Sequence, residues 1–268
     1  MSEFIALDES RLASRGQVEL KLLRADRRNA LTRQMLRDLI AALDAVEQLA
    51  NVRVLVLKST GPVFCAGMDL SEMQARAHAP DKEQQWQLDS ELYADVLSRL
   101  FSLPFPTVAQ VQGPVLAGGV GLILACDFVL SSNTAFYALP EPARGITAAI
   151  VTPFLSYRIG AGSAGQWLLA GQRISAEQAQ RCGLGYWVGE PEQLEGQVEQ
   201  LTTSILTGAP MALAITKRHW HHCTNAAAVV QQAQESIRVS AEARQSPDAR
   251  EGLAAFLEKR SPNWTVRT

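Results

Sequence analysis

The sequence lacks blocks of like charge, a spaced cysteine pattern and any long uninterrupted apolar run. Its 25 lysines and arginines nearly balance 27 aspartates and glutamates, so the charge pattern gives no sign of a nucleic-acid-binding arm. The four cysteines form no CxxC pair, which is typical of a reducing compartment and not of a secreted disulfide framework. We therefore expect no nucleic-acid partner and no disulfide scaffold.

Segments for targeting or membrane insertion are also missing. The most apolar stretch, residues 114–130, is interrupted by glycines and by Asp127, and it is shorter than the roughly 20 apolar residues that a membrane helix requires. Residues 1–10 carry acids and no basic region followed by an apolar run, so we expect no signal or transit peptide. The expectation is a cytoplasmic protein without a membrane span.

The chain does contain the alternating elements of an α/β fold. Val18, Leu20 and Leu22 alternate with polar residues, which predicts an edge strand with one wet face. Thr32 is placed to cap a helix, and residues 54–57 and 108–111 are apolar runs typical of strands covered on both faces. The order strand, loop, helix, strand occurs twice, which predicts a layered or spiral α/β core, and helical patterns dominate the last third.

Two glycine-bearing loops, residues 61–67 and 113–119, follow the two apolar strands. Glycines between a strand and a helix allow the backbone to approach a ligand, and the helix start presents unpaired N–H groups. Two such loops together predict an oxyanion site, which is useful when negative charge develops on a carbonyl oxygen. On the glycines alone, ordinary turns are the more frequent explanation.

Glu141 lies between two prolines in an apolar neighbourhood. Burial there would raise its pKa and make it an acid or a base, although the sequence alone slightly favours a solvated loop glutamate. The GxGxxG pattern at 160–165 follows a helical segment, not a strand, which favours a helix cap and turn over dinucleotide binding. The histidines near Cys223 lack a convincing fourth ligand, so we expect no metal.

The order of these pieces resembles the crotonase family of enoyl-CoA hydratases and isomerases. The matching segments are 27–31, 64–70, 112–127, 140–145, 173–176 and 250–260. The resemblance implies an α/β spiral of ββα units over residues 1–200, and a helical C-terminal segment at 201–268 that forms a homotrimer or a dimer of trimers. It also implies an acyl-CoA substrate and no cofactor beyond that coenzyme A.

The resemblance assigns roles to individual residues. The N–H groups of Met68 and Gly118 would form the oxyanion hole, and Glu141 would carry the proton. The remaining positions would bind substrate or coenzyme A: Arg27, Arg28, Ala66, Asp69, Leu70, Gly119, Phe256 and Lys259.

One position departs from the family pattern. Hydratases of this family carry a first glutamate where this chain has Gly121, so the partner that handles water is missing. A single glutamate favours moving a double bond, the Δ3-to-Δ2 isomerisation. Residues 119–122, 152–155 and 158–160 instead resemble bacterial methylglutaconyl-CoA hydratases, which leaves single-glutamate hydration of a branched or glutaconyl-type acyl-CoA as an alternative. A non-catalytic acyl-CoA-binding subunit is a third hypothesis.

Overall fold

The computed structural model describes residues 2–77 and 79–265. Its strands are β1 Ile5–Asp8, β2 Gln17–Leu22, β3 Val54–Ser59, β4 Thr107–Val111, β5 Val115–Leu116, β6 Phe128–Ser132, β7 Phe136–Ala138, β8 Ile174–Ser175 and β9 Trp187–Gly189. Its α-helices are α1 Leu12–Arg15, α2 Arg33–Gln48, α3 Leu70–Ala77, α4 Lys82–Ser102, α5 Gly118–Leu124, α6 Val151–Ala170, α7 Ala176–Arg181, α8 Pro191–Thr207, α9 Pro210–Cys223, α10 Ala226–Ala243 and α11 Pro247–Leu257.

The strands form two sheets, and the chain alternates between them. The larger sheet has the order β1-β2-β3-β4-β6-β9, and the smaller one has the order β5-β7-β8. The chain passes from β4 in the larger sheet to β5 in the smaller sheet and then to α5, and it repeats this path through β6, β7 and α6. These repeated units form the predicted spiral of ββα turns.

The prediction that the strand at Val18 to Leu22 forms the edge is wrong. β1 pairs antiparallel with one side of β2, and β3 pairs parallel with the other. The polar positions of β2 indicated a wet face, but Glu19 is buried and its carboxylate forms ion pairs with Lys21 and Lys58. Paired charges can replace apolar side chains inside a sheet, and the alternation alone does not reveal this.

The larger sheet is covered on both faces, as the apolar strands predicted. In β3, Leu55 belongs to the main core and its neighbour Val56 to a second cluster on the opposite face. That second cluster includes Leu194, Val198 and Leu201 of α8. Residue 200, the predicted boundary, lies inside this helix, and the division into a core and a helical C-terminal segment stays a prediction. The role of that segment in trimer formation stays a prediction.

Local signals explain several helix starts. Thr32 caps α2 by accepting a hydrogen bond from the Met35 N–H at 3.1 Å, and Ser175 forms a capping box at α7. The predicted cap and turn at 160–165 is confirmed only at Gly160, whose φ of +76° and ψ of 156° interrupt α6 and separate two helical segments. Residues 161–165 themselves are helical. Within residues 2–77 and 79–265, no helix has the length and apolar character needed to cross a membrane.

Candidate active site

The two glycine loops are joined by backbone pairing. Cys65 of the first loop forms a parallel bridge with Val115 of the second, and its carbonyl accepts from the Leu116 N–H at 2.9 Å. Gly67 has φ +85°, and a methyl group added there would lie 3.0 Å from the Gly118 nitrogen. A side chain at position 67 would separate the loops, so this glycine brings the Gly67–Met68 peptide next to the start of α5.

The N–H groups of Met68 and Gly118 are both unused. Gly67 and Asp69, on either side of Met68, pair with Leu31, but the Met68 N–H donates to no other described residue. The Gly118 N–H also donates to none of them, since it belongs to the first residue of α5. Both residues line one cleft. Two free donors in one cleft can bind an oxygen that carries developing negative charge.

Ala117 holds the second donor in place through an uncommon backbone conformation. Its φ is +50° and its ψ is −127°, a region that a residue with a side chain rarely adopts. The conformation sets the plane of the peptide that carries the Gly118 N–H. The Ala117 N–H itself donates to the Ala138 carbonyl at 2.9 Å, which fixes this turn to β7.

Glu141 is buried in the wall of the same cleft. The residue is 6% exposed, and its Oε2 atom has no hydrogen-bond partner among the described residues. Burial raises the pKa of Glu141 to about 7, and the opposing effects of its own backbone N–H and of Arg144 are smaller. A carboxyl with this pKa can both accept and release a proton near neutral pH.

The loop that carries Glu141 is held against α11 by two glycines. A methyl group at Gly145 would lie 2.1 Å from the carbonyl oxygen of Asp248, and one at Gly252 would lie 2.3 Å from the backbone of Arg144. A side chain at either position would push the loop and the helix apart. The C-terminal helix therefore positions the candidate acid–base residue.

Tyr93, on α4, is the site residue that the sequence reasoning missed. Its hydroxyl donates to the Gly118 carbonyl at 2.6 Å, and the side chain lines the cleft beside Glu141. A methyl group at Gly121 would lie 2.1 Å from this hydroxyl oxygen. Burial is the main reason that the pKa of Tyr93 lies well above its usual value. A tyrosine therefore fills the space toward which a side chain at position 121 would project.

A second cleft adjoins the first and shares Met68, Leu70 and Arg144 with it. It brings together most of the residues that the resemblance assigned to coenzyme A: Arg27, Arg28, Ala66, Asp69, Leu70 and Phe256. The Arg144 guanidinium lies over the Phe256 ring, 4.1 Å from its centre, so the ring and the catalytic loop are in contact.

Three of the predicted binding residues have other positions or partners. Gly119 lines neither cleft, and a methyl group there would lie 2.6 Å from the Cys65 carbonyl oxygen. Lys259 is exposed, has φ +56° and lines neither cleft. Asp69 forms a largely buried ion pair with Arg24 at 2.7 Å. Their contact with a ligand stays a prediction.

Comparisons with known proteins point to one enzyme family. The family model described as enoyl-CoA hydratase/isomerase matches residues 13–267. A Thermus thermophilus protein named for enoyl-CoA hydratase is 32% identical over 243 residues, which is 89% of this chain and 93% of its own. The Escherichia coli 2,3-dehydroadipyl-CoA hydratase is 30% identical over 272 residues and 100% of both chains. An enoyl-CoA hydratase structure from Mycobacterium avium has a TM-score of 0.85, with 30% identity over 99% of this chain and 100% of that one.

The chain belongs to the enoyl-CoA hydratase/isomerase family. This confirms the resemblance, the crotonase fold and the prediction that the protein is an enzyme.

Proposed function

We propose that this enzyme isomerises an unsaturated acyl-CoA by moving a double bond from C3–C4 to C2–C3. One arrangement carries the proposal. A buried, ionisable Glu141 shares a cleft with two free backbone N–H groups, and the Tyr93 hydroxyl fills the space beside Gly121 where a second carboxylate would start. The site thus has one group to move a proton and two donors to hold an oxyanion.

In the proposed reaction, the thioester oxygen accepts hydrogen bonds from Met68 and Gly118. The Glu141 carboxylate removes a proton from C2, and the electron pair moves into the thioester to form a dienolate whose charge lies on that oxygen. The protonated Glu141 then returns the proton at C4, which leaves the double bond between C2 and C3. Because the donors bind the dienolate more strongly than the neutral thioester, they lower the barrier.

The second cleft is the proposed place of coenzyme A. Arg27 and Arg28 line it and would pair with phosphate groups, whose charge and geometry suit guanidinium groups. The cleft joins the catalytic one at Met68, so a thioester at the junction would place its acyl chain near Glu141. Phe256 lies at the wall of this cleft.

Hydration by Glu141 alone is the second candidate, and the names of the relatives favour it. In that reaction one carboxylate would both activate water and protonate C2. We expect it to be slow, because each acid–base contribution is typically worth about 10²- to 10⁴-fold in rate.

The deciding experiment uses matched 2-enoyl and 3-enoyl thioesters in heavy-oxygen water, followed by mass analysis. A shifted double bond without label supports isomerisation, whereas incorporated label means hydration and would overturn the proposal. The Glu141→Gln variant should lose turnover by about 10²-fold or more and keep coenzyme A binding. Glu258→Gln, at an exposed glutamate outside both clefts, is the control. Wild-type binding without turnover of any thioester would favour a non-catalytic subunit.

A further inference from the structure

Arg244 is a positively charged residue in the wall of the catalytic cleft. It follows α10, and it lines the cleft together with Ser240, one helical turn earlier. The Nη1 atom of Arg244 is inaccessible to solvent and has no hydrogen-bond partner among the described residues. The mechanism proposed above does not use this guanidinium.

The nearby carboxylates already have partners. Asp89 is completely buried, and its two oxygens accept from Arg33 Nε and Arg76 Nη1, each at 2.7 Å. Arg76 also donates to Glu72 at 2.6 Å. Arg33 and Arg76 thus occupy both oxygens of Asp89 without Arg244. Among the residues that the structure describes, Arg244 forms no hydrogen bond or ion pair with an acidic side chain.

The Arg244 side chain is half-buried, and a guanidinium donor such as its inaccessible Nη1 is costly to leave without a partner. An arginine stays protonated in proteins, so it cannot avoid the cost by losing its charge. Leaving a charged donor unsatisfied forfeits a charge-assisted hydrogen bond and the hydration of the group. Much of the surrounding cleft wall is apolar, with Leu70, Met73 and Val151 among its residues. An anionic oxygen brought by a ligand would satisfy Arg244 inside this wall.

We propose that Arg244 binds a carboxylate on the acyl chain of the substrate, remote from the thioester, so that the enzyme acts on ω-carboxyacyl-CoA thioesters. This inference rests on the proposed function, because it assumes that the acyl group lies in the cleft of Met68, Gly118 and Glu141. A carboxylate is the matching group because its two oxygens fit the planar fork of a guanidinium. Ser240 offers a hydroxyl on the same side of the cleft.

The test measures binding, which does not depend on turnover. Saturated ω-carboxyacyl-CoA probes with a short series of chain lengths are compared by calorimetry with neutral acyl-CoA probes of the same lengths. We expect wild type to bind a carboxylated probe about 10- to 100-fold more tightly than its neutral counterpart, the range typical of a charge-assisted hydrogen bond. Arg244→Met should remove this preference and leave the affinity for the neutral probe nearly unchanged.

Arg238→Met is the matched control, because Arg238 lies on the same helix with a side chain that is 75% exposed and outside the cleft. It should keep the preference. Arg244→Lys retains the charge and should keep a reduced preference, so the test does not depend on Arg244→Met folding well. Equal wild-type affinity for both probes at every length, or an unchanged preference in a folded Arg244→Met, would overturn the proposal.

Failure of the carboxylate site and failure of the proposed function give different results. Turnover of neutral 3-enoyl thioesters without a carboxylate preference would remove the Arg244 proposal and leave the isomerase proposal intact. An Arg244-dependent preference in binding, with hydration or no reaction on the unsaturated thioesters, would support the Arg244 proposal and remove the isomerase proposal.

Discussion

The tyrosine that fills the space at Gly121 gives the sharpest test of the site. In Gly121→Ala, the new methyl group would lie 2.1 Å from the Tyr93 hydroxyl oxygen and 2.9 Å from Leu97 Cδ1. Both distances are shorter than a van der Waals contact, so the Tyr93 and Leu97 side chains, or the helix that carries them, must shift. Overpacking of this kind costs about 1–3 kcal/mol. We therefore expect the free energy of unfolding to fall by roughly 2 kcal/mol.

Tyr93→Phe removes the atom that causes the worst contact. The nearest remaining atoms are Leu97 Cδ1 at 2.9 Å, at the flexible end of its side chain, and the ring Cζ at 3.2 Å. Tyr93→Phe by itself loses the 2.6 Å hydrogen bond to the Gly118 carbonyl, worth about 1 kcal/mol. In this background Gly121→Ala should cost much less, which gives a favourable coupling of about 1–2 kcal/mol between the two sites.

Denaturant unfolding of wild type, both single variants and the double variant measures this coupling. Gly196→Ala is the control, because a methyl group there meets nothing within 4 Å and the residue lies inside α8. That change should be neutral or stabilising by up to about 1 kcal/mol. Additive effects of Tyr93→Phe and Gly121→Ala would show that the hydroxyl does not occupy the space beside position 121.

Three further predictions concern the catalytic loop and the fold. Burial raises the pKa of Glu141 from 4.5 to about 7, so kcat/KM should rise with pH through about 7. The contribution of Glu141 to stability should be full below pH 4.5 and lost as pH rises through about 7. Glu141→Gln should abolish this pH dependence of stability, measured by unfolding at a series of pH values. Gly252→Ala pushes a methyl group to 2.3 Å from the backbone of the catalytic loop, so kcat should fall by about 10- to 100-fold in steady-state assays, while Gly196→Ala retains activity. Lys217→Ala leaves Asp127, whose side chain is 11% exposed, without its 2.7 Å ion-pair partner. Thermal unfolding should show a loss of about 3 kcal/mol, with unchanged kcat because neither residue lines the two clefts.

The fold was predictable where local patterns decide it. The apolar run in β3 indicated a strand covered on both faces, and the two faces of this strand do belong to different clusters. Thr32 marked the start of α2 because a cap depends on a few neighbouring residues. The position of β2 was not predictable in this way. Its buried Glu19 is stabilised by Lys21 and Lys58, and Lys58 lies on another strand.

In the candidate site, too, features set by one short segment were predictable and features set by tertiary contacts were not. The glycine loops and Glu141 could be found because each lies in one short segment with recognisable chemistry. Gly145 and Gly252 matched the family pattern, but the reason became visible only where the loop and α11 meet. The unpartnered guanidinium of Arg244 left no trace in the sequence, because its isolation depends on which other arginines occupy Asp89.

Tyr93 shows why a missing residue has to be interpreted in three dimensions. In the sequence, Gly121 stands where hydratases of the family carry a glutamate, which indicated that the water-activating group is missing. In the structure the space is filled, because Tyr93 on α4 places its hydroxyl against α5 and bonds to the Gly118 carbonyl. A glutamate at position 121 could not fit unless the Tyr93 side chain moved. Replacement of Gly121 by glutamate alone therefore would not restore a two-carboxylate site, and the tyrosine and the glycine have to be changed together.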